Sequence, residues 1–248
     1  VNSAKKQRLD QLLVERGLAD SRAKAQALIL AGQVFAGERR LDKPGQGVAA
    51  DIALEVRGSS SPYVSRGGLK LAHGLNHFGI DPKGMVAIDV GASTGGFSDV
   101  LLQRGVAKVY AVDVGHGQLD WRLRNDPRVV VLERTNARYL SRDLIAEPVD
   151  LVVCDASFIS LRLVLPPALQ LAHAGACLLA LIKPQFEVGK GQVGKGGVVR
   201  DPVLHAEVCA EIANWLAEQQ GWRVLGTTES PITGPKGNRE FLVAARRP

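Results

Sequence analysis

Leu9, Leu12 and Leu13 recur at i, i+3 and i+4, and Ala23, Ala27, Leu28 and Leu30 follow with a similar helical period. Two short helices are predicted, the second capped by Ser21 and stopped by Gly32. Short strands come next: Gln33-Val34-Phe35 with the turn Ala36-Gly37-Glu38 reads as a hairpin, Lys43-Pro44-Gly45 as a turn, and Ile52 to Val56 as a closing strand. Gly58-Ser59-Ser60-Ser61-Pro62 has the composition of a linker, so the boundary falls between 1–62 and 63–248, with the linker at 58–66. From Gly67 onward the texture changes to near-continuous apolar runs separated by helical segments, the pattern of a buried parallel sheet. The predicted strands are Val86–Val90, Lys108–Val112, Val129–Leu132, Leu151–Cys154, Cys177–Ile182, Arg223–Glu229 and Glu240–Ala244. Helices are predicted over Gly68–Phe78, Gly96–Arg104, Leu161–Leu171 and Leu204–Gln219. The expected fold class is α/β, an open, doubly wound, Rossmann-like sheet of seven strands preceded by a small α+β domain.

The length of 248 residues accommodates two such unequal domains, and 46% hydrophobic against 23% charged residues suffices for a packed core. No apolar run approaches the ~18 residues of a membrane span, and the basic start Val1 to Lys6 lacks an apolar region behind it. A cytoplasmic protein with no membrane partner is expected. Lys plus Arg number 31 against 25 Asp plus Glu, a net charge of +6, which makes a polyanionic partner plausible. Residues 1–62 carry 10 basic and 7 acidic side chains, half of that excess in a quarter of the chain. Cys154, Cys177 and Cys209 are far apart in apolar surroundings and read as reduced core thiols. His73 and His77 are spaced as a zinc pair would be, but no third ligand stands at a recognisable spacing, so no metal is expected.

The sharpest local pattern is Asp89-Val90-Gly91-Ala92-Ser93-Thr94-Gly95-Gly96-Phe97, a strand running through glycines into a helix. Such glycines let backbone approach a ligand, and the helix start offers free N–H groups. Asp113, at the end of the next strand, is suited to accept both ribose hydroxyls of a nucleoside. The spacing G-x-x-x-G-G differs from the dinucleotide pattern G-x-G-x-x-G and favours S-adenosylmethionine, which has no phosphate to cradle. Asp89, Gly91, Ala92, Ser93, Gly95, Gly96, Phe97, Asp113, Asn136 and Asp155 form the expected cofactor-binding set. The run from Gly189 to Gly196 nearly spells a P-loop, but Gly196 stands where Ser or Thr must hold magnesium, so a flexible basic loop beside the cofactor cleft is expected.

Lys70, Asp155, Lys183 and Glu240 fall at strand or helix ends, on the edge of the sheet where open α/β proteins bind ligands. Charges emerging there from apolar strands are costly unless paired. The segments Ser65-Arg66-Gly67-Gly68-Leu69-Lys70-Leu71, Asp89 to Phe97, Asp155-Ala156-Ser157-Phe158 and Lys183-Pro184-Gln185-Phe186-Glu187 resemble those of the TlyA, or hemolysin A-like, ribosomal RNA methyltransferases. Ser21 to Ala25, Leu28-Ile29, Gly32 to Val34 and Lys43-Pro44 resemble the RNA-binding domain named after ribosomal protein S-four, with Ala36-Gly37 where Asn-Gly is common. The second domain is similar to the FtsJ group of ribose 2′-O-methyltransferases. That resemblance implies a catalytic Lys–Asp–Lys–Glu tetrad at Lys70, Asp155, Lys183 and Glu240, with cytidine in ribosomal RNA or a ribosomal subunit as target. A ribose hydroxyl is a poor nucleophile and needs a base. Lys183 is the expected base, with Lys70 supplying repulsion that helps it shed its proton and the two acids orienting the lysines. Lys5, Lys6, Arg8, Arg22, Lys24, Arg39, Arg40 and Arg66 are the expected RNA contacts.

Three other readings fit parts of this pattern. A non-catalytic ribosome-assembly factor would not need both lysines and both acids. A nicotinamide-dependent oxidoreductase would share the fold class but not the glycine spacing. A base methyltransferase usually carries Asn-Pro-Pro-aromatic or a catalytic cysteine after the fourth strand; here Cys154 precedes Asp155 and points to the opposite face if Asp155 faces the cleft.

Overall fold

Leu9, Leu12 and Leu13 bury one face of helix α1 (Leu9–Glu15), and Ala25 and Ile29, one turn apart, bury one face of α2 (Arg22–Leu30). Here the computed structural model, which describes residues 6–19, 21–56, 61–219 and 221–248, corrects the expected face of α2. Ala23 and Ala27 are exposed and Leu30 is 73% exposed, because each successive residue advances about 100° round the helix and Ile29 takes the inward position. Ser21 caps α2 by accepting the Lys24 N–H, and Gly32 ends the turn beyond it at φ +69°. The strands of this unit are β1 (Lys6–Arg8), β2 (Val34–Ala36), β3 (Arg39–Arg40), β4 (Gly47–Ala49) and β5 (Glu55–Val56). β1 pairs with β4, while β2 lies between β3 and β5. The closing strand is shorter than predicted, with Ile52 and Leu54 packing on the core outside any ladder.

Asp10 is fully buried in this unit and accepts hydrogen bonds from the side chains of Arg8, Arg22 and Gln26 and from the Gln11 N–H. The Arg8 guanidinium, helped by Gln26 and Arg22, holds its carboxyl well below the usual carboxylate range despite burial.

The chain divides into two units, Val1–Ser60 and Ser61–Pro248. The second opens with α3 (Gly67–Phe78), followed by β6 (Val86–Val90), α4 (Gly96–Gln103), β7 (Lys108–Val112), α5 (Trp121–Arg124), β8 (Val129–Leu132) and β9 (Val149–Cys154). Then come α6 (Leu161–Val164), α7 (Pro166–Leu171), β10 (Ala172–Ile182), α8 (Pro184–Glu187), α9 (Pro202–Glu218), β11 (Arg223–Glu229) and β12 (Phe241–Arg246). The single helix expected over 161–171 is broken at Pro166, which has no N–H to continue it.

The seven strands lie in the order β11-β12-β10-β9-β6-β7-β8. The expected parallel pairing holds from β10 through β9, β6 and β7 to β8, and fails at β12, which runs antiparallel to both β10 and β11 because no helix crosses over between β11 and β12. Glu240 therefore precedes its strand, and the reversal brings it to the edge where β10 ends, Phe241 pairing with Ile182. Alternation sorts the side chains: Ile88, Val90, Val152 and Cys154 share one face with α6, α7 and α9. Ala87, Val109, Leu151 and Val153 share the other with α3 and α4. Gly74 lets α3 sit against the sheet, since a Cβ there would lie 2.9 Å from Leu179. Among the described residues no helix is long and apolar enough to cross a membrane.

Candidate active site

β6 carries the chain into a turn in which Gly91 (φ +82°), Ser93 (φ +49°) and Gly95 (φ +96°) all adopt positive φ. A Cβ on Gly91 would lie 3.0 Å from backbone atoms of Ala156, and one on Gly95 would lie 2.2 Å from Leu123 Cδ1. The turn is thus pressed between the loop after β9 and helix α5. Its outer side is tied to the next strand, where Asp113 accepts the Ser93 N–H at 2.8 Å and the Gly115 N–H at 2.7 Å. A cavity of about 490 Å³ opens here, of a size that suits a small ligand, with Gly91, Ser93, Asp113, Asn136 and Asp155 in its wall. Asn136 also caps the short turn Ala137–Tyr139 by accepting the Arg138 N–H at 3.0 Å.

Ala92, Gly96 and Phe97 line a neighbouring cavity instead, and Asp89 and Gly95 line neither. Asp89 lies fully buried beneath the turn, accepting the Ser98 N–H at 2.9 Å and the Ser98 Oγ–H at 2.7 Å near the start of α4. Burial pushes its carboxyl up to about 7. Its place is to brace the glycine turn from below. Gly91→Ala is expected to lower the affinity of the 490 Å³ cavity for an adenosine-type cofactor at least ~10-fold and to lower the melting temperature with it, because both the positive φ and the Ala156 backbone oppose a methyl there. Calorimetric titration checks it.

The neighbouring cavity, about 240 Å³, gathers the four charged residues. Lys70 comes from the first turn of α3, Asp155 from the end of β9, Lys183 from the residue after β10, and Glu240 from the residue before β12. They form two ion pairs: Lys70 Nζ to Glu240 Oε2 at 2.5 Å and Lys183 Nζ to Asp155 Oδ1 at 2.6 Å. Lys183 Nζ also donates to the Asp155 carbonyl at 3.2 Å and to Ser157 Oγ at 2.8 Å. Lys70, Lys183 and Glu240 are each buried, and pairing is what makes that tolerable. Glu240 Oε1 has no hydrogen-bond partner and faces Gly234, where a Cβ would lie 2.0 Å away. Gly91, Ser93, Asp155 and Ser157 belong to both cavities, so a ligand in the larger one abuts the tetrad.

A model of the FtsJ-like methyltransferase matches residues 63–247, and one of the S4 domain matches residues 7–51. The chain belongs to the FtsJ-like methyltransferase family. This methyltransferase is 51% identical to the 16S/23S rRNA (cytidine-2′-O)-methyltransferase TlyA of Mycobacterium tuberculosis, over 98% of this chain and 91% of that protein. It is 39% identical to hemolysin A of Brachyspira hyodysenteriae, over 95% of this chain and 98% of that protein. A solved structure from Streptococcus thermophilus that bears the hemolysin name superposes with a TM-score of 0.77 at 41% identity, covering 99% of this chain and 90% of that one.

Of the basic residues considered for RNA, Lys6, Lys24, Arg39 and Arg40 are exposed on the S4 unit of this methyltransferase. Arg8 and Arg22 also reach solvent, but both are ion-paired with Asp10. Lys5 lies outside the described residues. Arg66 is exposed at the wall of the 240 Å³ cavity and donates to the Thr233 carbonyl at 3.3 Å. The near-P-loop segment holds a short turn at Lys190–Gln192 and a bridge from Gly194 to Val198, not a phosphate cradle opening a helix. The rings of His73 and His77 stack at 5.9 Å, and no group of three metal-ligating side chains forms among the described residues.

Ser157, Phe158 and Glu187 lie in the same motifs as Asp155 and Lys183. Phe158 is 90% exposed at φ +65°, its ring 5.1 Å from that of Phe186. Glu187 accepts from Ser160 Oγ at 2.6 Å and from the Leu161 N–H at 2.8 Å. Nothing in composition or period marks these three; only their adjacency to Asp155 and Lys183 does.

Proposed function

We propose that this methyltransferase transfers a methyl group from S-adenosylmethionine to the ribose 2′-hydroxyl of a cytidine in ribosomal RNA. The observation that carries the reading is the Lys70, Asp155, Lys183, Glu240 tetrad lining the smaller cavity, whose wall at Asp155 is shared with the larger one. The cofactor fits the larger one on the chemistry of its donors and acceptors: Asp113 presents a carboxylate for ribose hydroxyls, and Gly91 keeps free the space that a Cβ would crowd. Bound there, S-adenosylmethionine would supply an electrophilic methyl on a sulfonium, with the neutral thioether as leaving group.

The chain's own residues bring the hydroxyl in line and take its proton. Lys183 Nζ takes the proton of the hydroxyl, and the ammonium so formed is balanced by Asp155 at 2.6 Å. Lys70, expected to repel Lys183, is instead neutralised by Glu240 in a buried pair that forms part of the same cavity wall. Exposed Phe158 offers a flat face to an unstacked base. Lys6, Lys24, Arg39 and Arg40 of the S4 unit suit phosphate contacts that capture RNA without reading bases.

Transfer to a base through a cysteine is disfavoured, since Cys154 is fully buried in the core, lines neither cavity, and burial pushes its thiol up to about 12. Incubation with ribosomal subunits and methyl-labelled cofactor is expected to label RNA, with the yield falling as salt rises. Labelling of protein alone would reject the reading.

A further inference from the structure

We infer that Ser157 is a positioning residue for Lys183, and that Glu187 holds the loop that carries it. The inference rests on Lys183 acting as the base. A lysine side chain is a flexible stem ending in an ammonium with three donors, so its direction is set by what those donors meet. Two of its partners, Oδ1 and the carbonyl oxygen, belong to Asp155; the third is Ser157 Oγ at 2.8 Å. The hydroxyl differs from the other two in kind. A carboxylate and a carbonyl only accept, whereas Ser157 can accept from the ammonium and turn to donate to the free amine, keeping contact in both states.

Ser157 is held in turn by the segment that begins at Lys183. Lys183 reaches Ser157 at one end of that segment, and Glu187 receives Ser160 Oγ–H and the Leu161 N–H at the other. Between them the Phe186 ring meets that of Phe158. Residues 183–187 therefore clasp residues 157–161 at both ends, across a loop whose Phe158 sits at φ +65°. That conformation is unfavourable for a residue with a side chain and needs surrounding contacts to persist. Half-buried and satisfied by Ser160 and Leu161, the Glu187 carboxyl is a fixed strut, its pKa raised mainly by desolvation.

The test uses the full chain with ribosomal RNA, comparing Ser157→Ala, Ser157→Thr and Glu187→Ala. Ser157→Ala is expected to lower kcat at least ~10-fold, about 1.4 kcal/mol of transition-state stabilisation, a larger effect than any rise in KM for S-adenosylmethionine from its place in the cofactor wall. Ser157→Thr, which keeps the hydroxyl, restores kcat to within about three-fold of wild type, and Glu187→Ala gives a loss in kcat like that of Ser157→Ala. In parallel, the Lys183 Nζ resonance in nitrogen-labelled protein is expected to broaden through faster proton exchange in Ser157→Ala. An Ala variant with wild-type kcat, a loss shared equally by cofactor affinity, a Thr variant as slow as Ala, or an unchanged Lys183 resonance would overturn the inference. Failure of the wild-type chain to methylate RNA strikes the functional reading instead, and the Lys183 resonance then decides the inference alone.

Discussion

Lys183→Ala is expected to abolish methyl transfer while S-adenosylmethionine affinity stays within about two-fold, because the amine is lost from the tetrad and not from the cofactor wall. A positioned general base is worth roughly 10²–10⁴ in rate, and loss of the aligned pair with Asp155 adds misplacement of the carboxylate left behind. The fold tolerates the change: Lys183 sits at the cavity wall, and the Asp155 side chain, 21% exposed, can take up water in place of the ammonium. Single-turnover transfer measured beside calorimetric cofactor binding separates the two effects. A variant that retains substantial turnover would remove Lys183 from the role of base, and one that loses cofactor affinity in step would make it a wall of the cofactor site.

Asp10→Ala is expected to unfold the S4 unit without disturbing cofactor binding. Its carboxylate gathers Arg8, Arg22, Gln26 and the Gln11 N–H at the packed junction of α1 and α2. The guanidiniums reach solvent and recover hydration, so the cost is roughly 1–3 kcal/mol, set by the lost charged hydrogen bonds. A unit of this size holds only a few kcal/mol in total, so that loss decides whether it is folded. Amide exchange over residues 6–56 is expected to lose protection, RNA affinity to fall, and S-adenosylmethionine affinity to hold. The pH dependence follows from the depressed carboxyl: the stabilisation is full above the ordinary carboxylate range and is lost only as pH falls into strong acid. An Asp10→Ala protein with intact protection over 6–56 would contradict this account.

Much of the α/β architecture is legible in the chain because short apolar runs such as Leu178 to Ile182, alternating with helical patterns, read as strands buried on both faces. The positions of Lys70, Asp155 and Lys183 follow from the same logic, since each stands where an apolar element ends or a helix begins. The direction of β12 is hidden, because Phe241 to Ala245 reads alike forwards and backwards. Direction matters most for Glu240, which reaches Lys70 only because the strand is reversed. Arg8 and Arg22 look like free cations in one dimension; that a buried carboxylate pairs with both becomes visible only when α1 and α2 pack. The inward face of α2 eludes the period because a nine-residue helix of alanines and scattered aliphatics offers more than one stripe. Asp89 has the residue type of a ligand contact and the position of a brace, a distinction made by burial alone.

The most direct test of the central claim is the identity of the methylated nucleoside. Ribosomal subunits incubated with the protein and tritiated-methyl cofactor are digested to nucleosides and separated. The account predicts label in 2′-O-methylcytidine, absent when Lys183→Ala is used. Label on a base methyl, or label that survives in the variant, would contradict it.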